Sequence, residues 1–473
     1  MLSAVSGRQR AEMHMPKRVV AVIVALIVAV GLLSGLSLGA QSEVFPKDID
    51  KGSRNRLPFP TRDDVDDEGK KIFDEMIHGG HAPTRFYSPK LAKSMAEAHH
   101  VVKFETDLGG RFTELAVLVA AREMNNQYEW TQWEDHGSRK RGESPEIERS
   151  LIDVVKYCKP VTGLGEKEAT IVRFGREMFG QNKVSSATFA DAVRLFGAKD
   201  VANIVELIGL YAATGIELVT FDTQLEKGEV PLLPPMSKTP ACAEMQRPVR
   251  RAAVPTGAAV PKDIDPVSRN RFPYPTRNDL DDEGKKIWDE MSHGGTTPMH
   301  MFPGRLQSPR LAIPLADAHH FVRYETVLGP RLTELAILTT AREVDSEFEW
   351  TQGEDHGIAG KTPPEAGRAV VDVIKYCKPL VGLEEKDAVV IGFGRELFGR
   401  NHVSSETFAS ALRLFGRRGV TELANLMGLY TESALALKAY DLQLPAGRTP
   451  SLAPRGGPAP SCAVRRPWPR RQD

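Results

Sequence analysis

The stretch TELAVLVAAREMNNQYEWTQWEDHG, Thr113 to Gly137, returns almost unchanged as TELAILTTAREVDSEFEWTQGEDHG, Thr333 to Gly357. The chain is therefore a tandem duplication, and this stretch decides the fold of each copy. Each version opens with a glutamate, Glu114 or Glu334, followed by a nearly all-apolar run, Leu115 to Ala121 or Leu335 to Ala341. A helix apolar on every face is a buried one. A break is expected at Asn125-Asn126 and at Asp345-Ser346. Beyond it an amphipathic helix carries Glu129, Trp130, Glu134, Asp135 and His136, answered by Glu349, Trp350, Glu354, Asp355 and His356.

Working outward, KDIDKGSRNRLPFPTRDDVDDEGKKIFDEM from Lys47 is answered by KDIDPVSRNRFPYPTRNDLDDEGKKIWDEM from Lys262. A five-residue insertion around Met299 to Gln307 separates the registers of the two halves and is expected in a surface loop. Helix-length apolar patterns alternate with Gly, Pro and Ser/Thr punctuation, and strand alternation is almost absent. The reading is all-α, with about seven helices per copy. Ser144-Pro145 and Thr362-Pro363 are expected to start helices as N-cap and first-turn proline, and Gly180 and Gly197 to end them. The boundaries are 1–40 for an N-terminal segment, 41–232 for the first domain, 233–261 for a Pro/Ala-rich linker, 262–445 for the second domain and 446–473 for a Pro/Arg-rich tail.

The N-terminal segment sets the expected compartment. Arg8, Arg10, Lys17 and Arg18 precede an apolar stretch from Val19 to about Leu38, followed by Gly39-Ala40-Gln41. This is the pattern of a secretory signal, and its length also suits an uncleaved anchor, the one route by which the chain would meet a membrane. Both place the remainder outside the cytoplasm, periplasmic or secreted. In the whole chain 62 Lys and Arg balance 62 Asp and Glu, so no global field favours a nucleic acid. Four cysteines repeat as helix-end Cys158 and Cys377 and tail Cys242 and Cys462. In an exported protein this predicts the bridges Cys158–Cys242 and Cys377–Cys462.

On a helix, residues at i, i+3, i+4 and i+7 share a face, which aligns Glu129, Gln132, Trp133 and His136, and likewise Glu349, Gln352, Gly353 and His356. A carboxylate and an imidazole on one face can form an acid/base relay. The same residues also suit a solvated helix face. Gly353 in place of Trp133 predicts a roomier pocket in the second copy. Arg122 and Arg342, with Arg111 and Arg331, suit a carboxylate substrate, or else pair with Glu123 and Glu343. His99-His100 recurs as His319-His320; with Glu97 and Glu105 the spacing fits no ligand pattern, so no metal is expected. One histidine of each pair should face inward and the other outward.

Glu114 at the head of the apolar helix, the break, and YEW at Tyr128 to Trp130 (FEW at Phe348 to Trp350) resemble the carboxymuconolactone decarboxylase family, within the AhpD-like superfamily. The likeness covers about residues 55–225 and 270–444. It implies two tandem all-helical domains, assembly in threes or sixes, and hence a trimer of two-domain chains. It implies a carbon–carbon lyase acting on a small organic acid or lactone without cofactor. The catalytic candidates are Glu114, Glu129 and His136, with Glu334, Glu349 and His356; the resemblance carries the glutamates, and the shared helix face the histidines. The candidate substrate contacts are Trp130, Trp133, Arg122, Trp350 and Arg342. The peroxidase branch has cysteines where this chain has Asn126 and Glu129, or Ser346 and Glu349, and the family's usual histidine is replaced by Trp133 and Gly353. An AhpD-like peroxidase and a non-catalytic helical binding module are the two rival readings.

Overall fold

Glycines, prolines and left-handed residues cut the chain into helices that the apolar pattern then packs together. In the computed structural model the residues described are 45–76, 83–138, 147–181, 183–234, 242, 261–292, 304–359, 366–452 and 462, with backbone alone at 135–138, 291–292 and 355–359. The expected signal or anchor, most of the linker and most of the tail lie outside them. The first copy contains α1 Asp67–Met76, α2 Pro89–Phe104, α3 Gly109–Glu123, α4 Gln127–Ser138, α5 Arg149–Lys156, α6 Glu166–Gly180 and α7 Ser186–Thr220. The second contains α8 Asp282–Ser292, α9 Pro309–His320, α10 Gly329–Glu343, α11 Glu347–Ala359, α12 Arg368–Lys375, α13 Glu385–Arg400 and α14 Ser405–Tyr440. No strand occurs among the described residues, so the all-α class holds.

The apolar helix stands at the centre of each copy. Every residue of α3 from Leu115 to Ala121 is buried, and α3 packs on α4, α6 and α7. In the same way α10 packs on α11, α13 and α14. The breaks fall where expected, Asn125 and Asp345 taking left-handed φ of 50° and 58°. Gly197 and Gly416, with φ of 79° and 68°, interrupt α7 and α14, a conformation that only glycine adopts without strain. α5 begins at Arg149, after Glu148 is held extended and paired with Arg111, and α12 begins after Gly367, whose φ of 82° is not helical. Ser144, Pro145, Thr362 and Pro363 themselves lie outside the described residues. The length and apolarity of α7 would let it cross a membrane, but 89% of its most apolar stretch is buried inside the fold.

The two copies do not form separate bodies; residues Asp48–Asp473 make one compact unit with an apolar core drawn from both. Their contacts are reciprocal, as in a two-fold interface. α7 packs on α14 and α2 on α9. The Arg56 guanidinium lies 5.0 Å from the Phe408 ring and that of Arg271, its counterpart, 4.9 Å from Phe189. Lys90 pairs with Glu325, and Arg310 with Glu105. The helices cross at Gly209 and Gly428: a Cβ on Gly428 would lie 3.0 Å from the Ala213 carbonyl oxygen, so only glycine permits this approach.

Each copy closes on a disulfide. Cys158–Cys242 and Cys377–Cys462 join residues 84 and 85 apart, with Cα separations of 5.0 and 4.8 Å. These are the expected pairings, and such bridges suit an oxidising compartment. They return each tail across its own copy, where Leu233 and Leu452 enter the core.

Candidate functional site

The start of α4 is built by Asn126. Its Oδ1 accepts the Glu129 N–H at 2.9 Å, and its Nδ2 donates to the Gly215 carbonyl of α7 at 3.2 Å. This turns Glu129 inward, 7% exposed, where its Oε1 accepts the Trp133 indole N–H at 3.2 Å. Burial pushes the Glu129 carboxyl up to about 7, against the opposing influence of Trp133, Arg85 and Lys103. The Tyr211 ring of α7 meets Trp133 edge-on at 5.5 Å and His99 of α2 at 5.4 Å. His99 Nε2 lies 3.1 Å from the Thr214 hydroxyl, which accepts Arg85 Nη2 at 3.1 Å. Arg85 is buried against Glu217, Nε to Oε2 at 2.5 Å.

The second copy repeats this plan with different charges. Ser346 stands just before α11 and bonds to the Glu349 side chain, which is 8% exposed. Burial pushes its carboxyl up to about 8, and the negative charge of Glu432 adds to the rise. His319 and Tyr430 meet edge-on at 5.9 Å. Arg323, the counterpart of Lys103, pairs with Glu334 at 2.8 Å. Arg305, the counterpart of Arg85, is buried between Glu432 of its own copy and Glu206 of the first.

Comparison with family models, with curated proteins and with solved structures finds no match. The assignment of roles accordingly rests on this geometry.

Of the residues singled out from sequence, Glu129 and Glu349 are both buried, at 7% and 8% exposed. Glu334 is buried beside Arg323, whereas Glu114 is half-buried. The side chains of His136 and His356 lie outside the described residues; the imidazoles found beside these carboxyl clusters are His99 and His319. As expected of adjacent histidines, their neighbours point outward, the His100 side chain being 61% exposed. Trp133 is half-buried in the cluster. Trp130 and Trp350 are not groove residues: both are fully buried, their indole N–H groups donated to Glu134 and Glu354. Those glutamates accept Lys156 at 2.8 Å and Lys375 at 2.7 Å, pinning α4 to α5 and α11 to α12. Arg122 and Arg342 are likewise enclosed, 0% and 2% exposed, with no face toward a substrate in this state. Arg111 and Arg331 are engaged by Glu168 and Asp387.

At Gly353, where a roomier pocket was expected, a Cβ would lie 3.2 Å from Glu334 Oε1 and 3.1 Å from Leu338, so the carboxylate paired with Arg323 lies directly against the position from which Trp133 projects in the first copy. Among the described residues no group of three His, Cys, Asp or Glu side chains is placed to hold a metal. Tyr211 and Tyr430, Thr214 and Ser433, and Arg85 and Arg305 were not read from the sequence as site residues, although each pair repeats in register.

Proposed function

We propose that the chain is an exported carboxymuconolactone decarboxylase-like protein that applies acid/base chemistry to a small organic acid or lactone. The supporting observation is the burial of Glu129 and Glu349, with carboxyls near 7 and 8, each in a cluster with a tyrosine, a histidine and an arginine. A carboxyl that titrates near neutrality can give a proton to a developing enolate or lactone oxygen and regain it within a turnover. Such a mechanism calls for no cofactor. Export agrees with the paired cysteines, and the mature N-terminus on mass spectrometry is expected beyond Ala40. Trimeric assembly is expected on light scattering.

The reading is tested with the purified chain and a panel of small unsaturated lactones and 3-oxo acids, following carbon dioxide release and ring absorbance. The Glu129→Gln/Glu349→Gln double variant is expected to lose turnover by about 100-fold or more. Saturable binding without turnover anywhere in the panel would instead make the protein a helical binding module. Peroxide consumption with a thiol donor is expected to be absent, because no cysteine is free.

A further inference from the structure

We propose that His319 is a base oriented by Glu432, and that Glu206, reaching in from the first copy, completes this second site by supplying the other carboxyl of the Arg305 cluster. Arg305 Nη2 donates to both Glu432 oxygens at 2.5 and 2.6 Å, and its Nε donates to Glu206 Oε1 at 3.2 Å. Glu432 and Glu206 are 0% and 1% exposed, Arg305 6%. Two carboxylates against one guanidinium would leave a buried negative charge, so the cluster retains a proton. Burial and the neighbouring Glu432 push the Glu206 carboxyl well above its usual range, while Arg305 holds Glu432 well below it. Glu206 is thus the acid and Glu432 the anion.

The ionised Glu432 can only accept, so the contact of His319 Nε2 with its Oε2 at 3.0 Å places the ring proton on Nε2. Nδ1 keeps its lone pair. The His319 side chain, 18% exposed, is the most open member of the cluster it forms with Arg305, Glu432 and Glu206. Burial and Arg305 hold the ring below its usual value against the pull of Glu432, so it is neutral near pH 7. The ring is faced by Glu432, Ser433 and Tyr430 of α14 and by Arg305, with Glu349 of α11 within the field of Glu432 and Arg305.

The first copy carries a different side chain at this place. Ala213 stands in the register of Glu432 and Ala436 in that of Glu217, and His99 Nε2 lies 3.1 Å from the Thr214 hydroxyl. The copies therefore differ in task, with the proton-abstracting step assigned to the second. In that step an acidic C–H or O–H of the substrate gives its proton to Nδ1 and keeps the electron pair. The imidazolium is balanced by Glu432, and the proton later returns to the product, with no oxidant or reductant consumed. Glu432 and Glu206 are positioning residues, and the step itself rests on the acid/base reading above.

The test needs no substrate. In the full chain labelled with nitrogen-15 histidine, the His319 signal is identified by its loss in His319→Asn and titrated. The neutral ring is expected as the Nε2–H tautomer, and Glu432→Gln is expected to lower its midpoint by about one pH unit or more. An Nδ1–H tautomer, or a midpoint unmoved by Glu432→Gln, overturns the proposal. Should that variant not fold, the tautomer of the neutral His319 ring in the unaltered chain decides alone, and an Nδ1–H ring overturns the proposal. The infrared band of a protonated carboxyl at neutral pH is expected to weaken in Glu206→Gln, and its persistence at full strength removes the role of Glu206. Should these signatures appear while the lactone panel is untouched, the dyad stands and the proposed reaction falls.

Discussion

Glu129 and Glu349 each sit at the third position of their helix, behind Asn126 or Ser346. Each is also enclosed far enough to resist ionisation. A carboxyl whose folded value is raised contributes stability that is complete below its unfolded value of about 4.5. That contribution is lost as the pH rises through about 7 for Glu129 and about 8 for Glu349. Glu349→Gln, which cannot ionise, is therefore expected to match the wild type near pH 4.5. It should be more stable near pH 8 by of order 1–3 kcal/mol. Urea unfolding across this range checks it, and a variant whose advantage does not grow with pH would mean that Glu349 ionises freely. Glu129→Gln should show the same trend one unit lower and smaller in size. At the position where Trp133 is exchanged for Gly353, Glu334 and Leu338 lie close against the glycine.

At the scale of elements, the paired helices α4–α5 and α11–α12 are joined by Trp–Glu–Lys contacts, which explains why YEW and FEW keep their tryptophan. Glu134 is 2% exposed and its partner Lys156 about as enclosed, at 6% on the side chain. Removing the carboxylate leaves a buried ammonium without its counter-charge, which costs about 3–5 kcal/mol. The Glu354 pair is more open, at 10% and 16%. Glu134→Ala is accordingly expected to lower the melting temperature more than Glu354→Ala, and the reverse order would mean that the copies share their load differently. The tails are a second element-level device. Reducing either disulfide releases a loop of 84 or 85 residues, worth about 4 kcal/mol on the chain-entropy view. Unfolding with and without a reductant should show a loss of a few kcal/mol, and free thiols on peptide mapping of the native chain would refute the bridges.

For the whole molecule, the crossing of α7 and α14 is what makes two copies into one unit. Gly428 lies against the backbone of Ala213, and Gly209 against the Glu432 side chain. Gly428→Leu would force the helices apart and is expected to destabilise by at least about 1–3 kcal/mol. A single cooperative transition should also split into two, visible in calorimetry. One unchanged transition in that variant would show that the copies do not depend on this crossing.

Much of this was legible in the residues. The duplication, the all-helical class, the central apolar helices, the breaks at Asn125 and Asp345 and the cysteine pairing follow from local pattern and repetition, because burial periodicity and punctuation act over a few residues at a time. Glu129 and Glu349 also stood out, since a carboxylate beside an apolar helix has an unusual surrounding wherever the chain goes. Their neighbours could not be read in this way. His99 and Tyr211 are over 100 residues apart, and Glu206, Arg305 and Glu432 belong to different copies. Only the packing of α7 on α14 brings these charges into one buried volume, where the low dielectric decides which of them holds a proton. The sequence alone determined which helices form and which of them are buried; the tertiary structure decided which charges share that interior, because Coulomb interactions there depend on distance through space and not along the chain.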